Sequence, residues 1–192
     1  MASLALCMLN GPFKYCGRGS CGMVDTHQVH VRRFAQLTAG DLFLLLDGHC
    51  RCVALCVDSP TDSDKLMVPI GPNLPSHLKG PALVEGPRAT VISFGTSFSV
   101  RLPVEPDSWM ENEPGHDVPA LAVTDEGGIY LRAQYAGFGS QPVYCFVSIA
   151  DGTICANATS YTPPKGTKAY AIAWEFITTE AIPRVIVKAP FS

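Results

Sequence analysis

The sequence is short of charge. Asp, Glu, Lys and Arg make up 16% of its 192 residues, where a typical soluble domain carries about 25%. A chain with so little ionic coating leaves much of its surface apolar or neutral, and large patches of that kind usually lie against another protein. The cationic residues are scattered, and the densest pair is Arg32-Arg33. A footprint that tracks a phosphate backbone is therefore missing, and nucleic acid is not an expected partner. Long apolar runs are missing too. None approaches the roughly 20 residues of a bilayer-spanning helix, so a membrane partner is not expected either. Convincing helix patterns are absent beyond two short candidates at residues 28–36 and 178–181.

What the chain has in quantity is punctuation. It carries 17 glycines and 16 prolines, and they fall between short apolar runs, as in a protein built of strands and tight turns. Asp47-Gly48 separates Leu42-Phe43-Leu44-Leu45-Leu46 from residues 49–56, HCRCVALC, and accepts the positive φ angles of a hairpin turn. Asp151-Gly152, Asp125-Glu126-Gly127-Gly128 and Gly95-Thr96-Ser97 each stand between two strand-like runs in the same way. Residues 169–176, AYAIAWEF, alternate large and small. That period predicts one continuous strand with Tyr170, Ile172, Trp174 and Phe176 facing a core. A last strand is expected near Pro183, at an edge.

Successive hairpins with turn signals every 8 to 12 residues or so predict an all-β protein, an antiparallel β-sandwich or barrel of jelly-roll-like character. The expected organisation is one domain over residues 1–192. It has a Gly/Cys-rich N-terminal arm (1–26) and a long acidic loop (105–119, EPDSWMENEPGHDVP).

Eight cysteines without a recognisable export signal at the N-terminus point to a reducing compartment and free thiols. In HCRCVALC, a strand puts Cys50, Cys52 and Cys56 on one face with Ala54. A two-residue Asp47-Gly48 turn would set Cys50 opposite Leu45 and Cys52 opposite Phe43. Cys56 lies about 13 Å beyond Cys52 at strand rise, too far to share a zinc ion. The expected role of these thiols is packing, as small hydrophobes. The opposite face of the same strand is also apolar, which predicts either a central position between two layers or contact with another subunit.

A second group, Cys16, Cys21, His27 and His30, offers the ligand types zinc prefers in the order C-x4-C-x5-H-x2-H. The gap between the pairs is too short for a finger, so the zinc reading competes with that of a glycine-rich arm carrying incidental cysteines, and no cofactor is expected outright. Within it, Gly19-Ser20-Cys21-Gly22 resembles the Gly-x-Cys-Gly turn of chymotrypsin-like cysteine proteases. That resemblance implies a thiol nucleophile at Cys21. However, the family places its histidine before the cysteine, whereas here every histidine follows it, His116 among them. A third group sits in the acidic loop. Trp109, Glu111, Glu113, His116 and Asp117 could bind a cation, a sugar or a peptide, or supply an acid and a base. A solvated acidic loop anchored by one aromatic residue is the preferred account of them.

The composition resembles that of small coat, decoration or tail-associated proteins of virus and phage particles. The expected function is thus a non-enzymatic subunit, cytoplasmic or virion-bound, whose partners are further copies of itself or other proteins of a larger assembly. The alternatives are a thiol enzyme or hydrolase on a β-barrel using Cys21, and a ligand-binding module using the 105–119 loop.

Overall fold

The computed structural model describes residues 14–17, 20–23, 30–47, 50–59, 64–71, 81–114, 119–135, 143–155, 163–179 and 182–189, with the backbone alone at 14–17, 20–23, 47, 50, 135 and 143. Among the described residues strands dominate, joined by turns and two single 3-10 turns (Phe34–Gln36 and Pro106–Ser108). A hairpin of β1 (Lys14–Gly17) and β2 (Ser20–Met23) opens the chain. A first antiparallel layer follows: β3 (His30–Arg33), β4 (Leu42–Asp47), β5 (Cys50–Asp58), β6 (Lys65–Gly71), β7 (Ala82–Glu85) and β8 (Thr90–Gly95). Its spatial order is β3-β8-β4-β5-β6-β7. After β9 (Phe98–Arg101), a second layer is built from β10 (Trp109–Met110), β11 (Leu121–Thr124), β12 (Ile129–Tyr135), β13 (Val143–Ser148), β14 (Ile154–Cys155) and β15 (Thr167–Ala171). A small sheet β17-β16-β9 completes the fold with β16 (Trp174–Thr178) and β17 (Val185–Ala189). The protein is all-β and sandwich-like.

The two layers are joined through β7. Its Val84 and Glu85 pair with β6, antiparallel, while Ala82 and Leu83 pair with β12, parallel. β7 thus belongs to both layers, two residues pairing with each, and the chain of strands passes from one layer to the other there.

The main core fills the space enclosed by all three sheets. Leu42, Leu44, Val53, Leu55, Val57 and Val68 come from the first layer, Leu121, Leu131 and Val147 from the second, and Trp174, Phe176 and Val187 from the small sheet. Residues on both sides of the 105–119 loop therefore share one core. Each large side chain buried there contributes about 1.5–3 kcal/mol of transfer free energy, and the small sheet adds to it a series of ring contacts, Trp174–Phe176–Phe98 (5.0 and 5.3 Å between centroids).

A separate cluster covers the outer face of the first layer: Phe34, Leu37, Phe43, Leu45, Cys52, Ala54, Cys56, Met67 and Val91. The 3-10 turn at Phe34–Gln36 lays Phe34 across this face, edge-on to Phe43 at 5.4 Å. The β4–β5 hairpin is thus buried on both faces within one chain, the central of the two positions its composition allowed.

Three details depart from the periodicity. The β4–β5 register pairs Asp47 with Cys50, Leu45 with Cys52 and Phe43 with Ala54, where an Asp47-Gly48 turn would have set Cys50 opposite Leu45 and Cys52 opposite Phe43. The slip totals two residues, so every side chain keeps its expected face. Residues 95–97 do not close a hairpin: β8 pairs with β3 and β4, whereas β9 pairs with β16. Gly95, at φ 66°, turns the chain out of one sheet and into another. Residues 169–176 are not one strand. The chain bends at Ile172-Ala173, where the Ile172 N–H donates to the Ser108 carbonyl at 2.9 Å. Before the bend Ala171 faces the main core, and Tyr170 and Ile172 pack with Phe146 on the outer side of the second layer. After it, Trp174 and Phe176 take the core positions.

Two turns meet where Gly152 (φ 69°) stacks on Gly40 (φ 87°). A Cβ at Gly152 would overlap the Gly40 backbone nitrogen and sit 2.7 Å from the Cys56 carbonyl oxygen. That oxygen accepts the Gly40 N–H at 2.9 Å. Asp151 holds the first of these turns: the Thr153 backbone N–H donates to its Oδ1 at 3.0 Å and keeps its carboxyl below the usual range.

Candidate functional site

Two of the cysteines of HCRCVALC go into packing. Cys52 and Cys56 are fully buried among Leu45, Phe43 and Met67, and neither is in a disulfide. Burial pushes the Cys56 thiol up to about 11, against the pull of Lys65. A thiol so far from ionisation at neutral pH is neither a nucleophile nor a ready metal ligand. Cys145, in the main core, is pushed up to about 12 for the same reason.

Of the four residues grouped by metal-ligand type, Cys16 and Cys21 are brought together. They are directly opposed across the β1–β2 hairpin. His30 begins β3, exposed and paired with Ser93, and His27 lies outside the described residues. Among the described residues no three His, Cys, Asp or Glu side chains converge on a metal-sized space.

The acidic loop is tied down. Trp109 donates its indole N–H to the Pro103 carbonyl at 2.9 Å, its backbone pairs with Ala171, and its ring packs against the main core. It acts as an anchor, with its hydrogen-bonding edge already engaged. Glu111 is exposed, and His116 and Asp117 lie outside the described residues. Glu113 is drawn to Arg132, whose Nε donates to its Oε1 at 2.8 Å.

That ion pair belongs to a cluster the sequence did not announce. Arg132 is 4% exposed on the outer face of the second layer, and its guanidinium carbon stands 3.9 Å from the Tyr144 ring centroid. Tyr170 is buried alongside. Burial raises its hydroxyl above the ordinary value, Glu113 adds to that, and Arg132 opposes it. The alternation Ile129-Tyr130-Leu131-Arg132-Ala133 places Arg132 opposite the core face, but only the three-dimensional cover explains why it is buried.

A shallow groove of about 480 Å³ runs beside the small sheet, lined by Arg101, Val104, Trp174, Glu175 and Lys188 among others. Its Arg101–Glu175 pair, at 3.0 Å, is largely exposed.

The last feature is a ledge at the open end of the first layer. The register runs Val31 to Ile92, Ile92 to Leu44 and Leu44 to Val53, one row across four strands on the face that forms the main core. Along it exposure falls from 71% at Val31, through a half-buried Ile92, to 9% at Leu44 and 5% at Val53. The core cover therefore ends before the sheet does. Leu46, at 47%, lies next to this row, and the exposed Arg33 and Arg51 flank it. Neither arginine forms an ion pair among the described residues. β3 is the last strand on this side among the described residues, so that edge of its backbone pairs with no described strand, although the Arg33 N–H donates to Gln36 Oε1 at 3.0 Å.

The chain matches no protein-family model, no curated protein sequence and no solved structure at a significant level.

Proposed function

We propose that the protein is a non-enzymatic assembly subunit that docks through the β3 edge and its apolar ledge, in the manner of the small coat or decoration proteins its composition resembles. The observation that supports this most is the Val31–Ile92–Leu44–Val53 row, a strip of core face that runs out into solvent beside an open strand edge. Exposed apolar surface next to unpaired backbone is the arrangement in which a partner strand extends a sheet, with main-chain bonds giving affinity and side-chain contacts giving selectivity.

Charge selects the partner. Arg32 and Arg33 sit in β3 itself, so two β3 edges would meet with like charges. An acidic segment suits the ledge better. The chain carries one, since Glu105, Asp107 and Glu111 are all exposed. Contact between the ledge of one copy and that segment of the next would be head-to-tail, a geometry that builds rings or filaments. An acidic strand of another particle protein would fit the same ledge.

Amide hydrogen exchange on the full chain, followed as concentration rises, tests the reading. Protection of the residue 30–33 amides that grows with assembly supports it. Assembly that leaves those amides exchanging as in the dilute protein contradicts it.

A further inference from the structure

The register of the first hairpin carries an inference independent of the assembly reading. Lys14 pairs with Met23, Tyr15 with Gly22, Cys16 with Cys21 and Gly17 with Ser20. The two cysteines are thus directly opposite each other, next to the Gly17–Ser20 pair. Opposed residues of antiparallel strands have Cα atoms about 4.5 Å apart in a non-hydrogen-bonded pair and about 5.5 Å apart in a hydrogen-bonded one. Both separations fall inside the roughly 4.4–6.8 Å that a disulfide spans. Gly17 and Gly22, each the next residue in its strand, lack a Cβ and leave the backbone free to adjust to the bond's dihedral.

We infer that Cys16 and Cys21 form a thiol–disulfide exchange site that closes to an intrachain disulfide at the expense of a low-molecular-weight disulfide. One thiolate attacks a sulfur of the small disulfide, forming a mixed disulfide and releasing one small thiolate, which takes up a proton. The opposed cysteine, as its thiolate, then attacks the protein sulfur of the mixed disulfide. The second small thiol leaves and the Cys16–Cys21 bond forms. Two protein S–H groups have lost two electrons and two protons, and the small disulfide has become two thiols.

Four other described thiols are poorly placed to compete. Cys52, Cys56 and Cys145 are buried, Cys155 is half-buried with its thiol raised by that burial, and no two of the four are register partners. Exchange requires access and a thiolate, which these thiols offer poorly.

Trypsin offers a clean readout, because Arg18 lies between the two cysteines. The full-length protein is treated with oxidised glutathione, alkylated to block remaining thiols and digested. The expected product is residues 15–18 joined to residues 19–32 by one disulfide, lost on treatment with dithiothreitol. Cys16→Ser is expected to stop at the glutathione adduct of Cys21, and Cys21→Ser at that of Cys16. Persistent glutathione on both cysteines of the wild-type protein, with no joined peptide, would overturn the inference. So would joining of Cys16 or Cys21 to any other cysteine as the main product.

Discussion

Arg132 holds two partners at once: its Nε donates to Glu113 at 2.8 Å while its guanidinium lies over the Tyr144 ring at 3.9 Å. The side chain is 3% exposed and that of Glu113 36%, so one charge is buried and the other half in water. Removing the arginine leaves an aromatic shelf uncovered and a carboxylate without its cation. Arg132→Ala is expected to destabilise by about 2–4 kcal/mol, somewhat less than the roughly 3–5 kcal/mol of a fully buried pair because Glu113 can be rehydrated. Arg132→Met, which refills the space over Tyr144, is expected to recover part of that loss. Urea denaturation of the two variants checks the difference.

Gly86 touches the ring of Phe34 so closely that a Cβ there would overlap it. Gly86→Ala must push Phe34 out of the cluster that covers the first layer, and a cost of about 1–3 kcal/mol is expected from such overpacking. Trimming the obstacle tests the cause. Phe34→Leu is expected to destabilise on its own but to cost less in the Gly86→Ala background, a coupling that a double-mutant cycle on thermal or urea midpoints measures.

At Gly152 the obstacles are backbone atoms of Gly40 and Cys56, which cannot rotate away, and the φ of 69° disfavours a side chain in any case. Gly152→Ala is therefore expected to be more damaging than Gly86→Ala, and a smaller fall in melting temperature for Gly152→Ala would contradict the observed packing of the two turns.

The buried thiols make stability depend on pH in the alkaline range. Their ordinary value is 9.0, raised to about 11 at Cys56 and about 12 at Cys145 by burial. Above pH 9 the unfolded chain loses these protons while the folded chain keeps them, so unfolding gains free energy. Stability is expected to fall from pH 9 until each folded value is passed, by up to a few kcal/mol per thiol at about 1.4 kcal/mol per unit. Cys145→Ala is expected to flatten that slope, measured by urea midpoints between pH 8 and 10.5. Below pH 9 these two groups contribute no pH dependence.

Much of the fold is legible in residue order because turn chemistry and period-two alternation are local. The Asp125-Glu126-Gly127-Gly128 and Asp151-Gly152 hairpins stand where their residues predict, and the two-sided burial of β4–β5 follows from apolar residues on both faces. What escaped was decided by distant partners. Whether Phe98 pairs back onto β8 or leaves for another sheet depends on Phe176 and β16, residues far along the chain. The alternation through residues 169–176 hides the bend at Ile172-Ala173, because an extra residue at a corner reverses which parity faces the core. The site residues divide the same way. Trp109 reads from the sequence as a candidate binding residue, with a loop anchor as the alternative. Its indole N–H bond to Pro103 and its packing on the core are contacts that the local sequence does not specify. The burial of Arg132 depends on Tyr144 and Glu113, which flank it from other strands and loops. The opposition of Cys16 and Cys21 was present in the sequence as two cysteines equidistant from Arg18-Gly19, but a metal-ligand spacing obscured a hairpin register.

The central claim, that the ledge beside β3 is a contact surface, is tested most directly by sedimentation equilibrium of the reduced full-length protein beside its Val31→Lys/Leu46→Lys variant. Both positions are exposed, so the fold should tolerate the change. The wild-type protein is predicted to sediment as a concentration-dependent multiple of its 20.5 kDa chain, and the variant as a monomer. A wild-type chain that stays at 20.5 kDa throughout the micromolar range, or a variant that assembles as fully as the wild type, would contradict self-assembly through the ledge.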